Sequence, residues 1–283
     1  MQTFSDPREV RTWSRMRRDD KQVIGFVPTM GALHEGHLSL LDTARRAGAD
    51  SVVASIFVNP TQFAPGEDLA AYPRDLEGDL AKLQQRGVDC VFLPSADTIY
   101  ASGAQTSVSL KQLPNHLCGI DRPIHFTGVA TVVSLLLNIV EPQIAVFGEK
   151  DFQQLQVIRQ MVRDLWFDTR ILGSPIVREL DGLAMSSRNQ YLSSDERRRA
   201  RCLSEALTSA EQMVTAGVVR TDEVIRCMTE ILRQADASIQ YIRIVDERTL
   251  KDVATICPNS RAMLAAFIGK TRLIDNRRLI NQP

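Results

Sequence analysis

The chain has 283 residues, of which 44% are hydrophobic, and its 34 Lys and Arg residues balance 34 Asp and Glu residues. This length exceeds the usual size of a single hydrophobic core, so we predict two unequal domains. The composition excludes a largely disordered chain, and the zero net charge argues against a nucleic acid or an anionic membrane surface as a partner.

Short β-branched runs alternate with helical patterns through the first part of the chain. Strands are predicted at 23–29, 51–58, 88–94 and 144–148, and helices at 37–48, 75–87, 129–140 and 153–165. This alternation is typical of βαβ units, so we predict a Rossmann-like, doubly wound parallel sheet in residues 1–175. The most apolar helix, 129–140, is too short to span a bilayer, and no membrane role is expected.

The pattern changes near residues 174–177. Long polar helices are predicted at 194–217 and 221–235, and strands at 239–245 and 261–268. Residues 176–283 therefore form a smaller α+β domain in this prediction, which we expect to act as a lid. Five scattered cysteines without a C-x-x-C pair argue against both a disulfide framework and a thiolate zinc site. The first residues lack the apolar core of a secretory signal, so a cytoplasmic protein is expected.

The stretch VPTMGALHEGHLSLL, residues 27–41, places His34 and His37 in the turn between a predicted strand and a predicted helix. Free backbone N–H groups and the helix dipole favour an anion at this point. The two imidazoles share one face at i and i+3, and Gly36 lets a phosphate approach the backbone. Alternatively, one histidine caps the helix and the other packs in the core. A zinc site lacks further ligands.

Two later motifs carry cations. In GEKDFQQ, Lys150 follows a strand at the edge where open α/β sheets bind ligands, although the segment is also compatible with a solvated helix start. In MSSRN, residues 185–189, two serine hydroxyls and Arg188 are suited to phosphate oxygens. The same residues are compatible with a simple helix cap or turn.

An H-x-G-H motif after the first predicted strand, followed by a basic, serine-rich loop, resembles the nucleotidyltransferase superfamily. Longer strings resemble one family within it, the pantothenate synthetases (pantoate–β-alanine ligases). These strings are VPTMGALHEGHLSL, SIFVNPTQF, YPRD, RPIHFTGV, FGEKDFQQL, DGLAMSSRN and TRLIDN, and they extend from residue 27 to residue 276.

This resemblance implies an ATP-dependent ligation of pantoate and β-alanine to pantothenate. The implied route runs through a pantoyl-adenylate and releases pyrophosphate and AMP. The resemblance also implies Mg²⁺ accompanying ATP and a homodimer.

The resemblance also implies roles for individual residues. The catalytic set is His34, His37, Lys150 and Arg188, whose side chains suit charge that develops on phosphates. The implied ATP-binding residues are Met30, Gly31, Ala32, Leu33, His34, Glu35, Gly36, His37, Gly148, Glu149, Lys150, Asp151, Val177, Met185, Ser186, Ser187 and Arg188. Gln62 and Gln154 are implied to bind pantoate, and Asp79 to bind Mg²⁺; the alternatives are two ordinary surface glutamines and a solvent-facing acid on a helix. Arg122 and His125 are expected to shape the pocket or to contact the pyrophosphate.

The chain departs from the family pattern at Ile124, where glycine is usual. If that glycine takes a positive φ, isoleucine would resist it, which puts the shape of the loop in doubt.

Three other functions share some of these motifs. A class I aminoacyl-tRNA synthetase should also carry a basic tRNA-binding module, which the zero net charge disfavours. A dinucleotide-forming adenylyltransferase is not expected to have the glutamines of NPTQF and GEKDFQQ. A non-enzymatic nucleotide sensor would bind ATP without turnover.

Overall fold

The computed structural model describes residues 1–280, which fold into two compact units. The first unit comprises residues 1–114, 121–149 and 154–175. The second comprises residues 115–120, residues 150–153 and the chain from Ile176 onward. Two short segments of the predicted first domain therefore group with the second unit.

The first unit is built on a six-stranded sheet whose neighbouring strands all pair in parallel. The strands are β1 (Gln2–Phe4), β2 (Ile24–Thr29), β3 (Ser51–Ile56), β4 (Cys90–Phe92), β5 (Ile144–Gly148) and β6 (Arg170–Ser174). The helices up to β6 are α1 (Pro7–Asp19), α2 (Glu35–Arg46), α3 (Leu76–Gln85), α4 (Ala96–Ile99), α5 (Cys118–Asp121), α6 (His125–Val140) and α7 (Phe152–Asp164). The predicted Rossmann-like sheet is confirmed.

The strand order β1-β4-β3-β2-β5-β6 defines where this sheet binds ligands. The chain proceeds from β2 outward to β3 and β4, and then returns to the other side of β2 to form β5 and β6. Connections therefore diverge between β2 and β5, which makes their carboxyl ends a topological switch point. Open α/β sheets bind ligands in the crevice at such a point.

Close packing on β2 fixes the last turn of α2 and the turn that follows it. A Cβ added to Gly25 would lie 2.7 Å from the Cβ of Ala49 and 2.9 Å from that of Ala44. A residue larger than glycine would push the helix away from the strand. Helix α6 is buried nearly all round, as its uniformly apolar sequence predicts.

The second unit contains an antiparallel sheet of β7 (Ser238–Asp246), β8 (Ser260–Ile268) and β9 (Thr271–Arg278). Its helices are α8 (Ser194–Arg199), α9 (Cys202–Thr215) and α10 (Thr221–Gln234). Their apolar faces pack on the sheet through fully buried side chains such as Leu203, Met228 and Leu264. The predicted smaller α+β part is confirmed, although the predicted helix 194–217 is two helices, and β9 was not predicted.

All five cysteines are free thiols. Burial raises the pKa of both Cys90 and Cys202 to about 12, so these two thiols stay protonated and unreactive near neutral pH. Within residues 1–280, no helix combines the length and the apolar character that crossing a membrane requires.

Candidate active site

The H-x-G-H motif forms the N-terminus of α2, directly after β2. The His34 side chain caps the helix, because its Nδ1 accepts the backbone N–H of Gly36 at 3.1 Å. His37 completes a capping box, since its Nδ1 accepts the N–H of His34 at 3.3 Å. The two rings lie side by side with centroids 4.1 Å apart. Both histidines take part in the cap, and neither is buried in the core.

These caps assign the tautomer of both rings. A neutral imidazole has one donor and one acceptor nitrogen, so rings that accept at Nδ1 carry their hydrogen at Nε2. The cap thereby leaves both residues as Nε2–H donors at the positive end of a helix. This arrangement suits a phosphate that gains negative charge.

The loop before α2 is held by a brace that sequence reasoning missed. Gly31 and Ala32 both have left-handed backbone, with φ of +83° and +51°. Asp79 of α3 accepts the N–H of Ala32 at 2.8 Å through Oδ2 and that of Leu33 at 2.7 Å through Oδ1. Lys82 Nζ donates to the Leu33 carbonyl at 2.8 Å. One turn of α3 therefore fixes the strained loop at three points.

The surroundings of Asp79 bear on its predicted role as a Mg²⁺ ligand. The carboxylate is 1% exposed, each oxygen already accepts a backbone N–H, and the Lys82 ammonium lies 3.9 Å away. Within residues 1–280, no cluster of three or more His, Cys, Asp or Glu residues is suited to a metal ion. Because this carboxylate is already surrounded by two N–H donors and the Lys82 ammonium, it is poorly suited to bind Mg²⁺. The metal role of Asp79 stays a prediction.

The variant Asp79→Asn separates the two roles. Asparagine has one acceptor oxygen, so one of the two loop N–H groups would face its NH₂ group unpaired. We expect a loss of about 1–3 kcal/mol in the free energy of unfolding. If the loop binds ATP as predicted, its displacement should also raise the KM for ATP about tenfold. Thermal melts without metal measure the stability, kinetics with ATP varied measure the KM, and a Mg²⁺ titration of activity tests the metal role. A melt like that of wild type, with activity restored by high Mg²⁺, would contradict the brace. The control is Glu77→Gln, an exposed acid in the same turn.

The predicted pantoate residue Gln62 lies in a short helical turn, Pro60–Gln62, beyond the end of β3. Its Nε2 lies 2.8 Å from the sulfur of Met30 in the H-x-G-H loop, and its Oε1 accepts Asn59 Nδ2 at 3.2 Å. Asn59 is 1% exposed and also donates to the Gly128 carbonyl at 3.2 Å. The predicted ATP loop and one predicted pantoate residue are therefore in contact.

Helix α6 supports the backbone of this turn. A Cβ at Gly128 would lie 2.5 Å from the Thr61 carbonyl oxygen, so only glycine allows the observed approach. His125 Nδ1 lies 2.9 Å from the Gln62 carbonyl oxygen, which can only accept, so this nitrogen carries the hydrogen. Arg122 donates to the same oxygen at 3.3 Å.

Arg122 also forms an ion pair with Glu67 at 2.6 Å. Burial is the largest single influence and would raise the pKa of Glu67, but the hydrogen bonds and charge of Arg122, together with smaller contributions from Ala64 and His125, hold the pKa below its ordinary value. Ile124 has φ −90° and ψ −16°, an ordinary right-handed conformation that isoleucine adopts without strain. The doubt about the loop at this position is thereby removed.

The other predicted segments divide between the two units. Gly148, Glu149 and Gln154 belong to the first unit, and Gln154 is half-buried. Lys150 and Asp151 belong to the second unit and lie in a single helical turn that precedes α7.

Val177 and the loop 185–188 also lie in the second unit. They are joined by a hydrogen bond from Met185 N–H to the Val177 carbonyl at 3.0 Å. Ser186 caps the turn that follows, because its Oγ accepts the N–H of Arg188 at 3.3 Å. The alternative predicted for the MSSRN motif was a helix cap or turn, and such a cap is present in the structure.

Comparisons with known proteins match this chain along its whole length. A family model described as pantoate-beta-alanine ligase matches residues 2–278. A pantothenate synthetase of Desulfatibacillum aliphaticivorans is 51% identical over 278 residues, which are 98% of this chain and 99% of the relative.

Solved structures agree. A pantothenate synthetase from Thermus thermophilus has a TM-score of 0.94 at 44% identity, covering 99% of this chain and 100% of that one. A pantoate-beta-alanine ligase from Francisella tularensis, complexed with beta-gamma ATP and beta-alanine, has a TM-score of 0.82 at 36% identity. This match covers 100% of the present chain and 99% of the other.

Proposed function

The chain belongs to the pantoate-beta-alanine ligase family and is an enzyme of the ligase class, and on this basis we propose that it makes pantothenate in two steps. A pantoate carboxylate oxygen first bonds to the α-phosphorus of ATP while the bond to the β-phosphate oxygen breaks and pyrophosphate leaves. The amine of β-alanine then bonds to the carboxyl carbon, AMP leaves, and the nitrogen loses a proton. The Francisella relative with ATP and β-alanine bound supports both substrates.

The first step needs management of charge more than proton transfer. A carboxylate with an ordinary pKa near ~4 is ionised at neutral pH, so it requires no general base. Both reactants are anions, however, and the departing pyrophosphate gains charge. Donors already in position stabilise such a transition state most strongly. We assign this role to the Nε2–H groups of His34 and His37 and to the cations Lys150 and Arg188.

The single observation that carries the proposal is a contact between two predicted parts of the site. The H-x-G-H loop, which follows β2 at the switch point of the sheet, touches the Pro60–Gln62 turn. Gln62 contacts Met30, and its main chain is fixed by α6. An amide both donates and accepts, so Gln62 and Gln154 suit the hydroxyls and carboxylate of pantoate. Placing pantoate beside the nucleotide loop would bring its carboxylate to the phosphates.

Mg²⁺ is expected to accompany ATP on its phosphate oxygens, where it would supply further neutralisation of charge. Asp79 remains its candidate protein ligand, although the poor fit noted above means that no step here depends on it. A homodimer is likewise proposed from the family alone.

The test is to incubate the chain with ATP and Mg²⁺, with and without pantoate, and to measure pyrophosphate. We expect pyrophosphate only with pantoate, and AMP with pantothenate once β-alanine is added. A dinucleotide-forming adenylyltransferase would instead release pyrophosphate with a second nucleotide and without pantoate. A nucleotide sensor would bind ATP and yield neither product. Either outcome contradicts the proposal.

A further inference from the structure

Strand β9 contains two buried polar residues side by side, Asp275 and Asn276, each 2% exposed. Buried polar and charged groups destabilise a fold unless they are fully paired, so their partners indicate what they do. Neither residue is among the predicted site residues. Both occur in the string TRLIDN, to which the proposed function assigns no role.

Asn276 holds the segment that carries Lys150. Its Nδ2 donates to the Lys150 carbonyl at 2.9 Å, and its Oδ1 accepts Arg261 Nη1 at 2.5 Å. The Arg261 guanidinium also lies 3.9 Å from the centroid of the Phe152 ring. Phe152, which is 3% exposed, begins α7 two residues after Lys150. Two neighbouring strands therefore hold this segment: β9 binds the Lys150 carbonyl through Asn276, and β8 contacts the Phe152 ring through Arg261.

Arg261 is itself fixed by charge. It is 5% exposed, and its Nε donates to Glu247 Oε1 at 2.8 Å. Burial favours the neutral form of Glu247, but its hydrogen bond with Arg278 and the charge of Arg261 together keep its pKa below the ordinary value. Glu247 therefore stays ionised near neutral pH, and it holds the Arg261 guanidinium against the acceptor oxygen of Asn276.

Asp275 holds the hairpin that leads into the loop of Arg188. It accepts both ends of the Arg178 guanidinium, at 2.6 and 2.9 Å, while Arg178 Nη1 also donates to the Gly182 carbonyl at 3.0 Å. Arg178 pairs with Ala184 as an isolated β-bridge, three residues before Ser187. Such a forked pair fixes direction as well as distance.

The two side chains are also fixed to each other, because Asp275 Oδ1 accepts the backbone N–H of Asn276 at 2.7 Å. We propose that Asp275 and Asn276 are positioning residues that set the backbone of Lys150 and the 177–188 hairpin in one fixed relation. This inference rests on the proposed function, in which Lys150 and Arg188 bind the phosphates of ATP. A displacement of about 1 Å in a charge-stabilising group lowers a rate by up to ~100-fold.

The principal test is Asn276→Asp. Aspartate keeps the oxygen that Arg261 needs and replaces the Nδ2–H donor by an oxygen that repels the Lys150 carbonyl. In single-turnover assays of pantoate-dependent pyrophosphate release, we expect the rate to fall ~10–100-fold. Steady-state kinetics should show an unchanged KM for pantoate. The matched control is Arg277→Met in the same strand, where the side chain instead pairs with Glu211 of α9 at 2.7 Å. Its turnover should equal that of wild type.

A double-mutant cycle with Lys150→Ala separates positioning from general destabilisation. If Asn276 acts through Lys150, Asn276→Asp lowers the rate no further in the Lys150→Ala background. The positioning role is overturned if the rate losses of the two single variants multiply in the double variant. It is also overturned if folded Asn276→Asp has the wild-type rate while Lys150→Ala is defective. A wild-type rate for Lys150→Ala itself instead overturns the proposed function.

A second variant covers the case in which Asn276→Asp does not fold. Arg178→Lys keeps the charge beside Asp275 but loses the fork, at a side chain that is 22% exposed. We expect a ~10-fold slower single turnover that is not lowered further in an Arg188→Ala background. A wild-type rate in folded Arg178→Lys overturns the role of Asp275.

Discussion

His37→Asn is expected to lower the rate of pantoate-dependent pyrophosphate release about 10²–10³-fold, the usual loss when one donor to a developing oxyanion is removed. The asparagine oxygen can replace Nδ1 as the acceptor of the His34 N–H, which that ring nitrogen accepts at 3.3 Å. The cap of α2 is then kept while the Nε2–H donor is lost. Single-turnover kinetics measure the rate, and a thermal melt should show a fold as stable as wild type.

His37→Gln is the matched variant. Its amide N–H lies at about the distance of Nε2 from the backbone, so it should retain more activity than His37→Asn. Equal activity of folded His37→Asn and wild type would show that His37 serves only the helix cap.

Lys150→Ala is expected to lower the same rate by a similar factor, because the ammonium is assigned to charge that appears only as pyrophosphate departs. A contact made in the transition state affects kcat more than KM. Lys150→Arg keeps the positive charge and should retain part of the activity. Steady-state kinetics with ATP varied measure both parameters.

Lys270→Ala is the control for the loss of one positive charge, since Lys270 is an exposed lysine of the second unit. Its turnover should not change. If Lys150→Ala raised the KM for ATP and left kcat intact, Lys150 would bind ATP equally in the ground and transition states, and the assigned role would be wrong.

The strands that the sequence predicted are those with strong apolar runs. The cores of β2, β3 and β5 follow from buried β-branched residues, whereas the edge strands β1 and β6 escaped prediction. β1 has only three residues, and β6, RILGS, contains an arginine and a glycine. Strand β9 was missed for a related reason. Its consecutive buried residues Asp275 and Asn276 are polar, so its hydrophobic period is broken.

Helix boundaries were missed where charged residues obscured the hydrophobic period or where no breaking residue marks an end. Helix α1 is rich in arginine, although its start has a clear signal in the Asp6 cap followed by Pro7. The break between α8 and α9 has no proline or glycine to mark it, and one continuous helix was predicted.

The cap geometry of the H-x-G-H loop could be predicted because its contacts lie within three residues. The brace from Asp79 could not be predicted, because Asp79 is 46 positions from Leu33 and 47 positions from Ala32 in the sequence. The same holds for Asn59, which reaches Gly128 in α6. Local patterns predict which segments form the site, whereas tertiary contacts decide how those segments are held.

The most direct measurement is a crystal structure of the chain with pantoate and a non-hydrolysable ATP analogue. Our account predicts that His37 Nε2, Lys150 Nζ and the Arg188 guanidinium all lie within about 3.2 Å of phosphate oxygens, with pantoate held by Gln62 and Gln154. A bound analogue whose phosphates contact none of these three cationic or donor groups would contradict it.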